Sequence, residues 1–383
     1  MYRYSFNSVE YKLPEINIKT CNINSVSILN GFHGKLLMEN KNKIDKYYDS
    51  NLWDKTKKII NPYELVYITN KKTRFRSVST FEPLSRSFFK MIEMSNEFLK
   101  PSLFSSIKKL KTLHLAEGPG GFMEGIRFMR NYNKDDVLYG MTLISGNKEI
   151  PSWKKTATFL KSNPQIKLVY GIDNSGDLYN IDNIYYLEKR IGGNCIPIIT
   201  GDGGFDFSVS YNLQELYASK LLFGQILAAL KCQEIGGTFI LKFFDMNNLL
   251  TLDFLFILQC CYSEIIIYKP FTSRVANSER YIVCKYFKGI DKNYLDRLLS
   301  ILCLWNNLND NIIINRLFDN LPANYYNYMF KVNSGIIKQQ VDYINKTINI
   351  INNKYDSNWY KDNEIEQLNN AYNWCKDNNV PYK

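Results

Sequence analysis

Seven short apolar runs, at residues 112–116, 137–142, 166–170, 196–200, 238–243, 264–269 and 281–286, alternate with longer amphipathic stretches. A strand that returns in parallel needs a crossover of a dozen or more residues, usually a helix. The alternation therefore predicts an α/β fold: a mostly parallel, seven-stranded sheet with helices on both faces. The clearest helix covers 213–232, where apolar residues recur at three-to-four spacing. A second covers 88–99 (FFKMIEMSNEFL) and stops before Pro101. The last two runs lack a helix-length spacer, so they are expected to close the sheet edge as an antiparallel pair. Three segments result. Residues 1–75 form an N-terminal extension with no assignable pattern. Residues 76–290 form the α/β domain. Residues 291–383, rich in Asn, Ile and Tyr, form a mainly helical extension packed on the core.

Composition excludes several classes. Of 383 residues, 45% are hydrophobic, enough for a large core, so a disordered chain is excluded. The eight cysteines contain no CxxC pair, and His33 and His114 are the two histidines. That spacing suits neither a zinc site nor a disulfide framework, and no metal is expected. The first residues carry no apolar signal core, and the most apolar stretch, 249–262, is interrupted by Asp253 and Gln259. The expectation is a soluble intracellular protein that does not enter membranes. The net charge of +11 suits an acidic partner such as nucleic acid, nucleotide or anionic membrane, and suits a plain Lys-rich surface equally.

The run at 112–116 leads into Glu117-Gly118-Pro119-Gly120-Gly121-Phe122, where a helix is expected to begin. A glycine-rich turn between strand and helix lets a ligand approach the backbone closely. No Gly-Lys-Ser/Thr follows, which excludes a P-loop, and the next run ends without the acid that holds a dinucleotide ribose. An acid follows the third run, at Asp173 or Asp177, suited to an adenine amino group or to a plain Asx turn.

Four charged residues fall where an open α/β sheet gathers its strand ends. Asp202 follows an apolar run and Lys242 sits inside one. Glu279 enters the last run, and Lys90 lies on the helix before the sheet. A buried lysine is costly unless paired or neutral, which makes Lys242 the most informative of the four. Its alternative is a strand-end lysine reaching solvent.

With this Lys–Asp–Lys–Glu set, the chain resembles the FtsJ-like RNA ribose 2′-O-methyltransferases, and among them most closely the cap-specific mRNA (nucleoside-2′-O-)methyltransferases. The segments that carry the likeness are SRSFFK at 85–90, AEGPGGF at 116–122, YGMTL at 139–143, the Gly-Asp step at 176–177, GDGGF at 201–205, ILKFFD at 240–245 and KPFTSRVANSERYIVCK at 269–285. The likeness spans roughly 80–290. A weaker one covers AYNWCKDNNVP at 371–381, and none covers 1–75. Some relatives place an acid after GDGGF to seat the cap guanine; here the loop reads FSVSYN at 207–212, so cap binding is expected through other groups, an aromatic face included.

The resemblance implies a Rossmann-like fold, S-adenosylmethionine as cofactor and the capped 5′ end of mRNA as substrate. It implies Lys90, Asp202, Lys242 and Glu279 as catalytic residues, with Lys242 the general base. Desolvation and the nearby Lys90 cation would lower its pKa. It implies Gly118, Pro119, Gly120, Gly121, Phe122, Asp173, Asp177 and Asp202 for the cofactor. Arg86, Ser273, Arg274, Asn277, Ser278 and Arg280 flank the set and are expected on RNA phosphates. Alternatives are a ribosomal or transfer RNA ribose methyltransferase, and an RNA-binding capping subunit without catalysis. The long flanks suit contacts with other capping or transcription proteins. The Asn/Ile/Lys-rich composition suits an AT-rich virus, placing the protein in cytoplasm or virion, or an AT-rich protist, placing it in the nucleus.

Overall fold

A computed structural model describes residues 2–6, 9–29, 31–47, 50–68, 77–99, 104, 106–147, 152–204, 212–353 and 357–383. Each of the seven apolar runs forms a strand: β3 (Lys111–Leu115), β4 (Val137–Met141), β5 (Ile166–Leu168), β6 (Ile196–Gly201), β7 (Gln233–Phe243), β8 (Tyr262–Tyr268) and β9 (Arg280–Phe287). An eighth strand, β1 (Arg3–Phe6), joins them from the N-terminal extension, in the order β1-β8-β9-β7-β6-β3-β4-β5. β3 to β7 pair in parallel, β9 runs antiparallel between β7 and β8, and β1 runs antiparallel to β8. The β8–β9 pair is therefore antiparallel as expected, but it does not form the edge. β8 offers an open row of backbone groups, and β1 covers it.

Helices pack on both faces. On one lie α3 (Ser87–Phe98), α4 (Gly121–Met129) and α5 (Ala157–Ser162), whose core includes Met91, Met94, Phe122 and Ile126. On the other lie α6 (Ile181–Ile191), α7 (Gln214–Cys232), α8 (Leu249–Cys261) and α9 (Lys292–Asn306). α8 is apolar nearly all round because it is buried all round. Its one acid, Asp253, accepts two bonds of 2.9 Å from Arg316 and one of 2.7 Å from the Leu317 amide. Among the described residues no helix is long and apolar enough to cross a membrane.

The two extensions fold together. β2 (Lys19–Asn22) pairs antiparallel with β10 (Ile312–Arg316), a strand inside the segment expected to be mainly helical. Three consecutive isoleucines, stiff at χ1, favour the extended form there. α1 (Gly31–Asp45) and α2 (Leu52–Ile59) pack on α10 (Ala323–Asn352) through Leu37, Ile44, Trp53, Ile337 and Ile344.

α11 (Ser357–Asp377) docks on α3. Its Trp374 donates to Glu93 at 3.1 Å, and its ring meets Phe89 edge-on. Burial pushes the Glu93 carboxyl up, against hydrogen bonds from Tyr268 at 2.6 Å, the Phe271 and Thr272 amides and Trp374. Trp374→Ala removes a large buried side chain and one of these donors. It is expected to cost about 3–5 kcal/mol, read as a lower urea midpoint at unchanged slope.

Candidate active site

The sheet reverses its order between β3 and β6, and ligand sites of open α/β folds lie beyond the strand ends at such a point. A cavity of about 670 Å³ opens there.

The glycine loop forms its floor. Gly120 caps the N-terminus of α4 at φ +107°, a conformation that L side chains rarely adopt. Gly118 and Pro119 line the cavity. Gly120, Gly121 and Phe122, expected at the cofactor, do not line it, because they are packed into the fold behind the loop. A Cβ on Gly121 would stand 2.1 Å from the Ser87 hydroxyl, and Phe122 is wholly buried against Tyr281. Glu117 turns inward and accepts from the amides of Phe122 at 2.6 Å and Met123 at 3.3 Å, an acid at the positive end of α4. Burial, then Asp202, push its carboxyl well above the usual range.

The two candidate adenine acids separate. Asp173 is spent on its own loop: it accepts from the Ser175 hydroxyl at 2.7 Å, the Ser175 amide at 2.9 Å and Asn180 at 2.9 Å. These bonds hold its carboxyl well below the usual range. It is the Asx turn, and it does not line the cavity. Asp177 does; its amide donates to the Ser175 hydroxyl at 3.0 Å, and its carboxylate accepts from the Tyr179 amide at 2.8 Å. Between Ser175 and Asp177, Gly176 sits at φ +66°, with the Thr142 carbonyl 1.9 Å from where a Cβ would be.

The four charged residues converge as two ion pairs. β6 ends at Gly201, in register with Leu241 of β7, so Asp202 emerges beside Lys242. β9 runs the other way and pairs Tyr281 with Lys242, which brings Glu279 to the same end. Lys242 Nζ lies 2.8 Å from the Asp202 carbonyl and 3.2 Å from its carboxylate. The Tyr281 hydroxyl donates to the same carboxylate at 3.1 Å. Lys90 reaches from α3 to Glu279, at 2.6 and 2.8 Å from its two oxygens. Burial pushes Glu279 up, but Lys90, Lys242 and Lys269 outweigh it and hold the carboxyl down to about 2. Lys242 behaves contrary to the sequence-based expectation. Burial pushes its pKa down, but Asp202 and Glu279 more than reverse that, and the ammonium is held above the usual lysine range. Lys90, the cation expected to lower it, is committed to Glu279.

The six expected phosphate ligands divide similarly. Arg86, Asn277 and Ser278 line the cavity. Arg86 donates to the Tyr67 and Thr272 carbonyls and lies 3.7 Å from the Glu64 carboxylate, and Ser278, buried, bonds Gln214. Arg274 lies outside the cavity lining and grips Glu64 through two bonds, of 2.7 and 2.9 Å. Ser273 is buried. Arg280 is 2% exposed and paired with Asp245, so it belongs to the scaffold and not to a surface that meets phosphate. Phe205 and the loop 207–211 lie outside the described residues.

The sequence reading missed Glu117, whose signal was a charge directly after a buried strand. It also missed Lys41, Trp53, Gln340 and Ile344, which line the cavity from the two extensions; long-range packing alone brings them there. His114 is a core residue: its ring bonds the Thr112 and Thr200 hydroxyls at 2.8 Å each, and burial pushes its pKa down to about 3. Among the described residues no group of three or more His, Cys, Asp or Glu is placed to hold a metal ion.

Comparison with known proteins agrees with this geometry. The chain is similar to the mouse cap-specific mRNA (nucleoside-2′-O-)-methyltransferase 1, 29% identical over 299 residues, which are 73% of this chain and 34% of the mouse protein. The human protein of that name is 35% identical over 46% of this chain and 22% of its own. The one from Trypanosoma cruzi is 38% identical over 45% of this chain and 46% of its own. This chain thus spans less than half the length of each. The solved 1,6-didemethyltoxoflavin-N1-methyltransferase of Burkholderia thailandensis is 11% identical, covers 55% of this chain and 94% of its own, and has a TM-score of 0.30, too low to carry an argument. The FtsJ-like methyltransferase model matches residues 83–287, which hold the sheet from β3 to β9 and all four members of the charged set. The chain belongs to the FtsJ-like methyltransferase family.

Proposed function

We propose that the chain is a cap-specific mRNA ribose 2′-O-methyltransferase that methylates the first transcribed nucleotides of capped RNA. The observation that carries this reading is the meeting of the Lys90–Glu279 and Lys242–Asp202 pairs beside a glycine cradle in one cavity. The similarity to cap-specific methyltransferases supports the cap as the substrate class.

The cofactor of this reading is S-adenosylmethionine. The cavity lies within the usual range of small-molecule sites. The residues present fit it: Gly118, Gly176 and Gly204 line the cavity without side chains, and Asp177 and Asp202 line it with carboxylates. Gly118 and Pro119 would hold it through the backbone, and Asp177 and Asp202 through their carboxylates. Bound there, S-adenosylmethionine supplies an electrophilic methyl group and a positive charge.

Lys242 is the general base for the ribose 2′-hydroxyl in this reading. Its neighbours keep it an ammonium, so only a small fraction is ready to accept a proton. Lys90, through Glu279, and Tyr281, through Asp202, hold the two carboxylates in place. Arg86, Asn277 and Ser278 line the cavity and would meet the RNA strand there, Arg86 and Ser278 by exchanging their present partners.

Because the Lys242 pKa is raised, the deprotonated fraction grows with pH and does not saturate below the usual lysine value. The single-turnover rate is expected to rise about tenfold per unit between roughly pH 7 and pH 9. A rate that does not change between about pH 6 and pH 9 would remove Lys242 from the role of base. The reading itself is tested by transfer of labelled methyl to one RNA sequence carrying an N7-methylguanosine cap, an unmethylated cap or a bare triphosphate. Labelling of capped RNA with none on the triphosphate supports it. Equal labelling of all three moves the protein to the ribosomal or transfer RNA class.

A further inference from the structure

Three successive carbonyls in the segment that delivers Glu279 are each held by a buried cation. Lys269 Nζ donates to the carbonyl of Asn277 at 2.6 Å and to that of Glu279 at 2.5 Å. Arg280 Nε donates to the carbonyl of Ser278 between them, at 2.9 Å. Lys269 and Arg280 are 3% and 2% exposed, and neither lines the catalytic cavity. Burying an ammonium on carbonyls, with no carboxylate in contact, is among the costlier ways to hold a loop, since water or backbone amides do the same at less expense. Burial pushes the Lys269 pKa down to about 7, with Glu279 opposing.

The support continues outward. Arg280 lies 3.3 Å from Asp245, and Asp245 also takes Lys41 of α1, all three buried. Gln340 of α10 meets Arg280 at 3.4 Å. α1 and α10 both lie outside the segment that matches the family model. The two extensions are thus tied by buried charge to the backbone that carries Glu279.

We propose that Lys269 is a positioning residue for the methyl-transfer reaction, and that Lys41, Asp245 and Arg280 carry its support from the accessory helices, together fixing residues 277–279 so that Glu279 meets Lys90 beside Lys242. The inference rests on the reading of Lys90, Asp202, Lys242 and Glu279 as the catalytic set. Lys269 touches neither substrate nor cofactor; it acts through Glu279.

The test uses Lys269→Met in the full chain, with two readouts. Amide hydrogen exchange is followed over 270–280, where the variant is expected to exchange faster than the parent while β3, β6 and α7 keep their protection. Steady-state kinetics on capped RNA are expected to show kcat lower by about 100-fold, with KM for RNA within a few fold. In a Glu279→Gln background the same substitution is expected to add less than about threefold, because its effect passes through the carboxylate already removed. Parent-like exchange over 277–279 overturns the proposal. So does an undiminished loss in the Glu279→Gln background, which would mark a general structural role. If Lys269→Met does not fold, Asp245→Asn, which keeps the side-chain shape, is carried through the same measurements with the same expected and overturning results. Should the parent label no RNA, the functional reading fails, while hydrogen exchange still decides whether Lys269 places the segment.

Discussion

Lys242→Ala is expected to lower methyl transfer to capped RNA by about 10³-fold or more, while leaving cofactor affinity within a few fold. The side chain lies 2.8 Å from the Asp202 carbonyl and 3.2 Å from its carboxylate, and alanine leaves no amine in its place. Lys242→Arg separates base from charge. A guanidinium keeps a cation beside Asp202 but does not deprotonate in the working range, so this variant is expected to be as inactive as alanine. Activity near the parent level in Lys242→Arg protein would show that the cation, and not the base, carries the chemistry. Single-turnover rates at saturating cofactor and RNA make the comparison, since they exclude effects on binding.

Glu279→Ala is expected to produce the largest loss of stability at the site. Removing the carboxylate leaves Lys90, Lys242 and Lys269 close together, with Asp202 the remaining acid in contact with any of them. Breaking a buried pair in this way typically costs about 3–5 kcal/mol. The pH dependence has a definite sign. The Glu279 carboxyl titrates near 2 in the folded protein, below its unfolded value. Its contribution is present above the unfolded carboxylate range and is lost as pH falls toward 2; integrated, it amounts to roughly 3 kcal/mol. The parent is therefore expected to lose more stability than Glu279→Gln between about pH 4.5 and pH 2.5. Urea unfolding of both proteins across that window measures the difference. Parallel curves would show that Glu279 is not held low in the fold.

Much of this site was legible because its chemistry sits at strand ends. Asp202, Lys242 and Glu279 each interrupt or border an apolar run, so the fold class alone places them at one end of the sheet. What the sequence could not supply was which charges face inward to a partner far along the chain. Arg280 neighbours Glu279 and read as a phosphate ligand. Its partners Asp245 and Gln340 lie 35 and 60 residues away, and only the folded structure shows that they consume it. Asp173 and Asp177 read alike, and both carboxylates accept a turn amide; what separates them is the further bonds that Asp173 takes from the Ser175 hydroxyl and Asn180. The pKa of Lys242 was misjudged for a related reason: desolvation can be inferred from an apolar run, but the two carboxylates that outweigh it come from other strands. β1 was invisible because four residues carry no pattern, and its place is set by the edge that β8 leaves open.

The most direct test of the central claim is the position of the transferred methyl group. Capped RNA labelled by the parent protein would be digested with a nuclease that requires a free 2′-hydroxyl, and the resistant fragment identified. The account predicts label in a cap-bearing fragment that resists cleavage after the first transcribed nucleotides, and no label with Lys242→Ala protein. Label released as an internal nucleotide, or on a base instead of a ribose, would contradict it.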